Sequence, residues 1–234
     1  MTGTVFLAGA TGVIGRRLMP LLKEKGWTVV GGTRSAAKSS ELEQLGVIPA
    51  VGDAFSASRM DAIIALYRPT IVIHQLTDLP DGLDPQKMAA ARVRNSRLRI
   101  MGTHNLVTAS IKYGVGRFIA QSIAFSYARG IKPYLESSAL EPGATGVRSL
   151  EQQVLEAPFQ GIVLRYGHLY GPGTGFETAS ETGSIHVEAA ALAAFAATEQ
   201  GNHGVYNIAE DDGEVSIEKA CRELSWQPQL RIRV

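Results

Sequence analysis

The chain has 234 residues, a length that suits a single α/β domain and buries a sizeable core without disulfides. Hydrophobic residues make up 45% and charged residues 19%, which excludes a disordered or fibrous chain. Its 23 Lys and Arg residues against 22 Asp and Glu give a net charge of +1, without the basic excess typical of nucleic-acid binders. The lone cysteine, Cys221, excludes an internal disulfide and a cysteine-rich metal site. The early apolar run 5–10 is too short to span a membrane, so we expect a cytoplasmic protein with no membrane partner.

Short apolar runs alternate with stretches of helical periodicity through the first half of the chain. The predicted strands are 4–8, 28–33, 47–51, 71–76 and 117–120, and the predicted helices are 14–25, 38–44, 59–66 and 86–113. Strands that are apolar on both faces and alternate with helices are typical of a parallel sheet covered on both sides. The sequence therefore predicts an α/β fold, a doubly wound (Rossmann) parallel β-sheet flanked by helices.

The second half of the chain is less regular. It predicts helices over 147–157, 187–199 and 216–224, and strands over 161–166 and 205–208. Segments 128–145 and 171–184 are rich in Gly, Pro, Ser and Thr, and such stretches in a compact domain are more often functional loops than linkers. We predict one domain over 1–234, in which roughly 171–203 and 209–234 form a reduced C-terminal substrate lobe.

A glycine-rich turn follows the first predicted strand, where residues 4–15 read TVFLAGATGVIG. Gly9 allows the tight turn, Gly12 lets backbone amides approach a pyrophosphate, and Gly15 lets the helix pack closely on the strand. A glycine triplet alone is weak evidence, but here a strand precedes it, and a helix and a second strand follow. The motif therefore predicts a dinucleotide site, against the alternative of a turn without a ligand.

The end of the second predicted strand indicates which dinucleotide is bound. NAD sites normally place an acid there for the ribose hydroxyls, whereas this chain has Gly31, Gly32, Thr33 and Arg34. Arg34 can pair with a 2′-phosphate, and Lys38 can add a second charge. NADP(H) is therefore favoured over NAD, unless Arg34 is only a solvated surface charge.

These residues and several later segments together resemble a known family. The segments are Gly9, Gly12 and Gly15, then Arg34, 52–54 (GDA), 73–76 (IHQL), 102–106 (GTHNL), 164–166 (LRY), 169–173 (LYGPG) and 223–228 (ELSWQP). In order and spacing the chain resembles the extended short-chain dehydrogenase/reductases, the NAD-dependent epimerase/dehydratase family, almost from end to end. The resemblance implies that Asp53 bonds the adenine amino group and that Leu76 packs near the ribose. It also implies a homodimer through the helices near 86–113 and 147–157.

Motif and resemblance together define the predicted cofactor site. The predicted cofactor-binding residues are Gly9, Ala10, Thr11, Gly12, Val13, Ile14, Gly15, Thr33, Arg34, Lys38, Asp53, Ala54, Gln75, Leu76, Gln121, Ser122, Tyr166 and His168. No metal ligand set is predicted, because His74, His104, His186 and His203 lack ligand spacing.

The chain departs from the family at the catalytic residues. The family uses a Ser, a Tyr and a Lys, the last two in a Y-x-x-x-K motif that passes a proton to or from the substrate oxygen. No Y-x-x-x-K occurs in this chain, and Gly143 and Val147 stand at the Tyr and Lys positions. Ser122 fits the serine position, five residues before Tyr127, and Arg99 stands where the family often has Asn.

Without that pair, another group must protonate the alkoxide that hydride transfer to a carbonyl produces. The candidate catalytic residues are Ser122, Tyr127, His168 and Tyr170. Tyr127 has an alternative role in packing, and His168 has an alternative role as a neighbour of the bound cofactor. A bound water or an acidic hydroxyl on the substrate could also donate the proton.

We therefore predict an atypical NADPH-dependent reductase of a ketone or related carbonyl. An aromatic hydroxy-ketone could supply its own proton. Two alternatives stay open, namely a nucleotide-sugar epimerase or dehydratase, and a non-catalytic NADP-sensing regulator. The first is disfavoured by the missing Tyr and Lys and by the short C-terminal lobe.

Overall fold

The computed structural model describes residues 3–232, apart from the side chain of Asp81. Its strands are β1 (Thr4–Ala8), β2 (Thr28–Thr33), β3 (Ile48–Val51), β4 (Ile71–His74), β5 (Arg117–Ile123), β6 (Gln160–Tyr166), β7 (His168–Tyr170), β8 (Ser184–His186) and β9 (Gly204–Ile208). Seven of them form a parallel sheet in the order β3-β2-β1-β4-β5-β6-β9, while β7 and β8 form a separate parallel pair. The predicted doubly wound parallel sheet is confirmed.

Helices connect these strands. They are α1 (Val13–Glu24), α2 (Ser39–Gln44), α3 (Ala57–Tyr67), α4 (Pro85–Arg97), α5 (Thr103–Lys112), α6 (Thr145–Leu155), α7 (Val187–Ala196) and α8 (Glu218–Leu224). A π-helical segment, Leu98–Gly102, joins α4 to α5, so the predicted helix 86–113 exists but is interrupted. In the part of the chain that the structure describes, no helix has the length and apolarity needed to cross a membrane.

The core lies in two layers, one on each face of the sheet. On one face, β1 residues such as Leu7 pack with Leu18 of α1 and Ala190 of α7. On the other face, Phe6 of β1 packs with helices α3, α5 and α6, including Leu106. Successive strand residues point to opposite faces, so burial of both faces explains why the strands are continuously apolar.

The segments 171–203 and 209–234, predicted as a substrate lobe, contain β8, α7 and α8, while β7, the partner of β8, lies just before them. The buried Trp226 indole donates a hydrogen bond to the Ala189 carbonyl oxygen of α7, at 2.8 Å, which ties the end of the chain to the helix layer. A lobe that covers substrate stays a prediction, and residues 1–2 and 233–234 of the predicted domain lie outside the described residues.

Candidate dinucleotide and substrate site

The predicted site residues follow the carboxyl ends of the parallel strands. Because the strands are parallel, the glycine loop after β1, Arg34 after β2, Asp53 after β3, Gln75 after β4 and His168 after β6 meet at one edge of the sheet. The strand order reverses between β1 and β4, and ligands of doubly wound sheets bind at this point.

The glycine loop has the backbone that a pyrophosphate requires. Gly9 adopts φ +89°, and a Cβ on it would lie 2.8 Å from the Gln75 carbonyl oxygen. The Gly12 amide donates to the Gly9 carbonyl oxygen at 3.0 Å, and α1 begins at the next residue. A Cβ on Gly15 would collide with the carbonyl oxygens of Gly9 and Ala10. The loop therefore leads directly into the N-terminus of α1, where unpaired backbone N–H groups attract anionic oxygens.

A cleft beside this loop, here called the adenosine cleft, brings together the predicted adenosine-binding residues Arg34, Asp53 and Leu76. It is lined by Phe6, Ala8, Gly9, Gly32, Thr33, Arg34, Ala50, Gly52, Asp53, Ala54, Met60, Leu76, Thr77 and Leu98. Asp53 accepts a hydrogen bond from the Phe55 amide through Oδ1, at 2.9 Å. The Oδ2 atom of Asp53 has no hydrogen-bond partner among residues 3–232, so this oxygen can accept a ligand N–H at the cleft.

An acidic side chain, Asp78, lies beside Arg34 in the structure, although the end of β2 itself contains no acidic residue. Asp78, which follows β4, has its Oδ1 atom 3.4 Å from a guanidinium nitrogen of Arg34 and its Oδ2 atom 3.5 Å from one of Arg94 on α4. Asp78 is mostly shielded, with 16% of its side chain exposed, whereas both arginines are about half exposed. A 2′-phosphate would therefore compete with Asp78 for Arg34. Sequence reasoning missed this pair because 44 residues separate its members.

Gln75, the residue after β4, has a buried side-chain oxygen without a hydrogen-bond partner among the described residues. Gln75 is 6% exposed, and its Oε1 atom has no partner among the described residues. Its Nε2 atom lies 3.4 Å from the Tyr166 hydroxyl oxygen, and burial raises the pKa of that tyrosine. An unpartnered buried amide oxygen is costly, so its place beside the Gly9 loop fits a ligand that donates a hydrogen bond there.

Other predicted cofactor residues lie around this edge. Lys38 is exposed at the end of a short 3-10 turn, Ala36–Lys38, and Gln121 lies half-buried on β5. The described residues contain no group of three or more His, Cys, Asp or Glu side chains that could hold a metal ion.

Ser122 belongs to a buried hydrogen-bond network in which Arg165 makes the most bonds. Its hydroxyl donates to Glu151 Oε1 on α6 at 2.6 Å, and the same carboxylate receives two hydrogen bonds from Arg165 on β6, at 2.8 and 2.6 Å. Ser122 is 0% exposed, and Glu151 and Arg165 are 5% and 4% exposed. Burial alone would lower the pKa of Arg165, but the bonds to Glu151 raise it above its ordinary value.

Tyr127 belongs to the same network. Its hydroxyl accepts a hydrogen bond from Arg165 at 2.8 Å and donates to Asn207 Oδ1 at 2.6 Å. Its ring stacks on Tyr134, and it is 6% exposed. Burial raises the pKa of Tyr127, although Arg165 and Asn207 oppose the shift. These contacts favour the packing role, and a catalytic role for Tyr127 stays a prediction.

Tyr170 and His168 lie on β7, nearer the surface. The Tyr170 hydroxyl donates to Glu210 Oε1 at 2.8 Å, and burial and this carboxylate both raise the tyrosine pKa. A raised pKa makes Tyr170 a weaker acid at neutral pH. His168 stacks on Phe125, with ring centroids 3.9 Å apart, and its Nε2 atom lies 3.3 Å from Glu181 Oε1.

Gly143 and Val147, the residues predicted at the family's Tyr and Lys positions, lie around the start of α6. Gly143 lies just before α6, and Val147 is buried on it. A partly buried cation, Arg99 in the π-helical segment, interacts electrostatically with His74 and with Glu151. Burial lowers the pKa of Arg99, and Glu151 opposes this shift. An arginine stays protonated, so Arg99 can attract an anion but cannot donate a proton to an alkoxide.

Comparison with known proteins identifies the family. The model of the NAD dependent epimerase/dehydratase family matches residues 5–200. The chain belongs to this family. Membership supports an enzyme with a nicotinamide dinucleotide cofactor, and the glycine loop, the adenosine cleft and the Gln75 acceptor fit such a cofactor.

Among the relatives of this family member is a Streptomyces protein named 3-diazoavenalumate denitrifying reductase. It is 34% identical over 237 residues, which cover 89% of this chain and 76% of the relative. Methionine adenosyltransferase 2 subunit beta from Xenopus tropicalis is 29% identical over 171 residues, covering 70% of this chain and 46% of that protein.

Solved structures share the fold at low identity. UDP-glucose 4-epimerase from Thermotoga maritima, solved with UDP-glucose, aligns with a TM-score of 0.81 and 20% identity over 97% of this chain and 94% of that chain. The Bordetella bronchiseptica enzyme WbmG, solved with NAD, aligns with a TM-score of 0.77 and 15% identity over 99% and 91%. These two likenesses show the fold alone.

Proposed function

We propose that the protein is an NADPH-dependent reductase that delivers a hydride to a small aromatic substrate without a protein acid. One combination of features carries this proposal. The chain keeps the glycine loop and the adjoining cleft for a dinucleotide, but it has Gly143 and Val147 at the positions predicted for the family's Tyr and Lys. NADPH, when bound, supplies a hydride and leaves as NADP⁺.

The chain's own residues bind and orient the cofactor. The N-terminus of α1 would hold the pyrophosphate, and Asp53 would accept a hydrogen bond from the adenine amino group. Arg34 would bind the 2′-phosphate in place of Asp78, from which it lies 3.4 Å, and the Arg34 side chain is about half exposed. Long, exposed ion pairs contribute little, so a doubly charged phosphate can displace the carboxylate.

The substrate then determines where the proton comes from. A ketone that accepts a hydride becomes an alkoxide and needs one proton. The Ser122 hydroxyl is bonded to Glu151, and the pKa values of Tyr127 and Tyr170 are raised, so none of these side chains is a good donor at neutral pH. A ketone with a neighbouring phenol meets this requirement, because the phenol donates its own proton and the phenolate is later protonated by water.

A second substrate class is an aryl diazonium or related diazo-arene. The Streptomyces relative is named as a denitrifying reductase of a diazo compound. In such a reaction the hydride forms a C–H bond at the ring carbon while the C–N bond breaks, and its electron pair leaves with N₂. The products are the arene, N₂ and NADP⁺, and no proton is required. A site without an acid therefore suits this chemistry as well as it suits a hydroxy-ketone.

Turnover assays separate these proposals. NADPH oxidation is measured with ortho-hydroxyacetophenone, with its methyl ether, and with an ortho-hydroxybenzenediazonium salt. Oxidation with the phenol but not the ether supports substrate-assisted ketone reduction, and oxidation with N₂ release supports the diazo reaction. NADP(H) binding without turnover of any of the three favours the regulator. Interconversion of a nucleotide sugar without net NADPH oxidation would contradict the reductase.

A further inference from the structure

Phe125 is exposed at the edge of the sheet where ligands bind. It lies two residues after the end of β5, and half of its surface (50%) is accessible to solvent. Its ring stacks nearly parallel on His168, with centroids 3.9 Å apart and an interplanar angle of 19°. His168 begins β7, two residues after β6, and β5 and β6 are neighbours in the sheet. The two stacked rings therefore lie at the carboxyl ends of adjacent parallel strands.

The histidine ring is held in place by contacts other than Phe125. Its backbone amide donates to the Gly183 carbonyl oxygen at 3.1 Å, and the residue pairs with Ser184 of β8. Its Nε2 atom lies 3.3 Å from Glu181 Oε1, and 29% of the His168 side chain is exposed. One face of Phe125 is thus supported by an anchored ring, while the phenylalanine keeps exposed surface for a ligand.

We propose that Phe125 and His168 form a stacking platform that selects planar aromatic substrates, a proposal that rests on the proposed reductase function. A flat ring laid on Phe125 gains offset-stacking contact and removes apolar surface from water. A saturated ring of the same size gains only the second contribution. The aromatic substrate should therefore bind more tightly than its saturated counterpart by roughly 3- to 10-fold.

The chain offers a matched control at Phe176. This is also an exposed phenylalanine, with 43% of its surface accessible, but the structure gives it no ring contact in the described part of the chain. Phe125→Leu and Phe176→Leu therefore remove the same aromatic ring and keep a similar apolar volume. Phe125→Tyr keeps the ring.

The experiment measures binding of ortho-hydroxyacetophenone and of its ring-saturated counterpart, an acetylcyclohexanol, by calorimetry in the presence of saturating NADP⁺. We expect the wild type, Phe125→Tyr and Phe176→Leu to prefer the aromatic compound by roughly 3- to 10-fold, and Phe125→Leu to lose this preference. NADP⁺ affinity and thermal unfolding of each variant show that the fold and the cofactor site are intact.

Every other outcome counts against the platform. No preference in the wild type, binding of neither compound, an unchanged preference in Phe125→Leu, or a preference lost in Phe176→Leu overturns it. The result is independent of turnover. If the aromatic preference depends on Phe125 but no substrate oxidises NADPH, the reductase function fails while the platform stands. If turnover occurs without aromatic preference, the platform fails alone.

Discussion

At the scale of single residues, the proposed preference for NADP(H) depends on Arg34. Replacing Arg34 by Glu puts a carboxylate beside the 2′-phosphate and leaves the shielded Asp78 with Arg94 alone. We expect NADPH affinity to fall by at least ~10-fold, or about 1.5–3 kcal/mol, with a smaller effect on NADH. Calorimetry with both dinucleotides measures this change.

Asp78→Asn is a control that tests the competition between Asp78 and the 2′-phosphate for Arg34. It keeps the size of the side chain but removes the competing charge, so NADPH affinity should rise while NADH affinity stays nearly constant. Wild-type protein that binds NADH as tightly as NADPH would overturn the NADP assignment.

Replacing Ser122 by Ala distinguishes a catalytic role of its hydroxyl from a structural one. If the Ser122 hydroxyl stabilised a developing oxyanion, its removal would slow the reaction by roughly 10- to 1000-fold, and the upper end of this span is typical of single oxyanion donors. In the structure this hydroxyl is fully buried and bonded to Glu151 at 2.6 Å. We therefore expect Ser122→Ala to lower the free energy of unfolding by about 1–2 kcal/mol and to change the turnover rate by less than ~10-fold. Denaturant unfolding and NADPH oxidation measure the two effects, and a ~100-fold slower enzyme of unchanged stability would make Ser122 the oxyanion donor.

At the scale of elements, Glu151 and Arg165 connect α6 to β6. Both side chains are buried, and their two hydrogen bonds, 2.8 and 2.6 Å long, form a bidentate pair. Removing one partner leaves the other charge buried without compensation, which costs about 3–5 kcal/mol. We expect Glu151→Ala to destabilise the protein by about this amount in denaturant unfolding. Glu151→Gln keeps the shape and some of the hydrogen bonds, so it should cost less; equal effects of both variants would show that charge is not the cause.

The elements also show what could be predicted from sequence. Most strands of the sheet and the amphipathic α1 were predicted within one or two residues, because burial of both faces of a parallel sheet leaves a strong local pattern, although β5 extends three residues beyond its predicted end at 120. The three-residue strands β7 and β8 lie at or within a Gly-rich stretch and have too few residues for a period to show. The Asp78–Arg34 and Ser122–Glu151 contacts join residues 44 and 29 positions apart. Only the folded chain brings these side chains together, so no local spacing indicates them.

At the scale of the whole molecule, His74 makes stability depend on pH. It is fully buried at the end of β4, its Nε2 atom lies 2.9 Å from Thr103 Oγ1, and its Nδ1 atom accepts from the Leu76 amide. Burial, with Arg99 adding, lowers its pKa from 6.5 to about 4. Between pH 6.5 and pH 4, His74 is protonated in the unfolded chain but neutral in the folded chain. The folded state therefore loses stability relative to the unfolded state as the pH falls from 6.5 towards 4.

The expected loss from His74 between pH 7 and pH 5 is about 1–2 kcal/mol. Urea unfolding at the two pH values measures it, and a His74→Asn variant should lose much of the difference. Carboxylates with lowered pKa values, such as Glu214 and Glu223, lose their stabilisation only at more acidic pH. A free energy of unfolding that is constant from pH 7 to pH 5 would contradict a neutral buried His74.

The whole molecule also has an exposed apolar surface near the helices through which the family resemblance implies a homodimer. A shallow groove on α4 and the π-helical segment is lined by Arg92, Val93, Ser96, Arg97, Ile100 and Met101. Three of these residues are exposed apolar side chains, at 72%, 40% and 41% for Val93, Ile100 and Met101. Helix α6 packs beside this surface, because a Cβ on Gly146 would lie 2.6 Å from Ser96 Oγ. The predicted partner helices 86–113 and 147–157 therefore form one continuous face.

We expect a second copy of the chain to cover this face. Val93→Asp introduces a charge that association would bury without a partner, which costs several kcal/mol for each copy. Light scattering at micromolar concentration should then give a mass near twice 25.0 kDa for the wild type and near 25.0 kDa for Val93→Asp. Leu66→Asp is the matched control, because Leu66 on α3 is equally exposed at 71% and lies outside the groove. A wild-type mass near 25.0 kDa, or dissociation by Leu66→Asp instead, would contradict a dimer through α4 and α6.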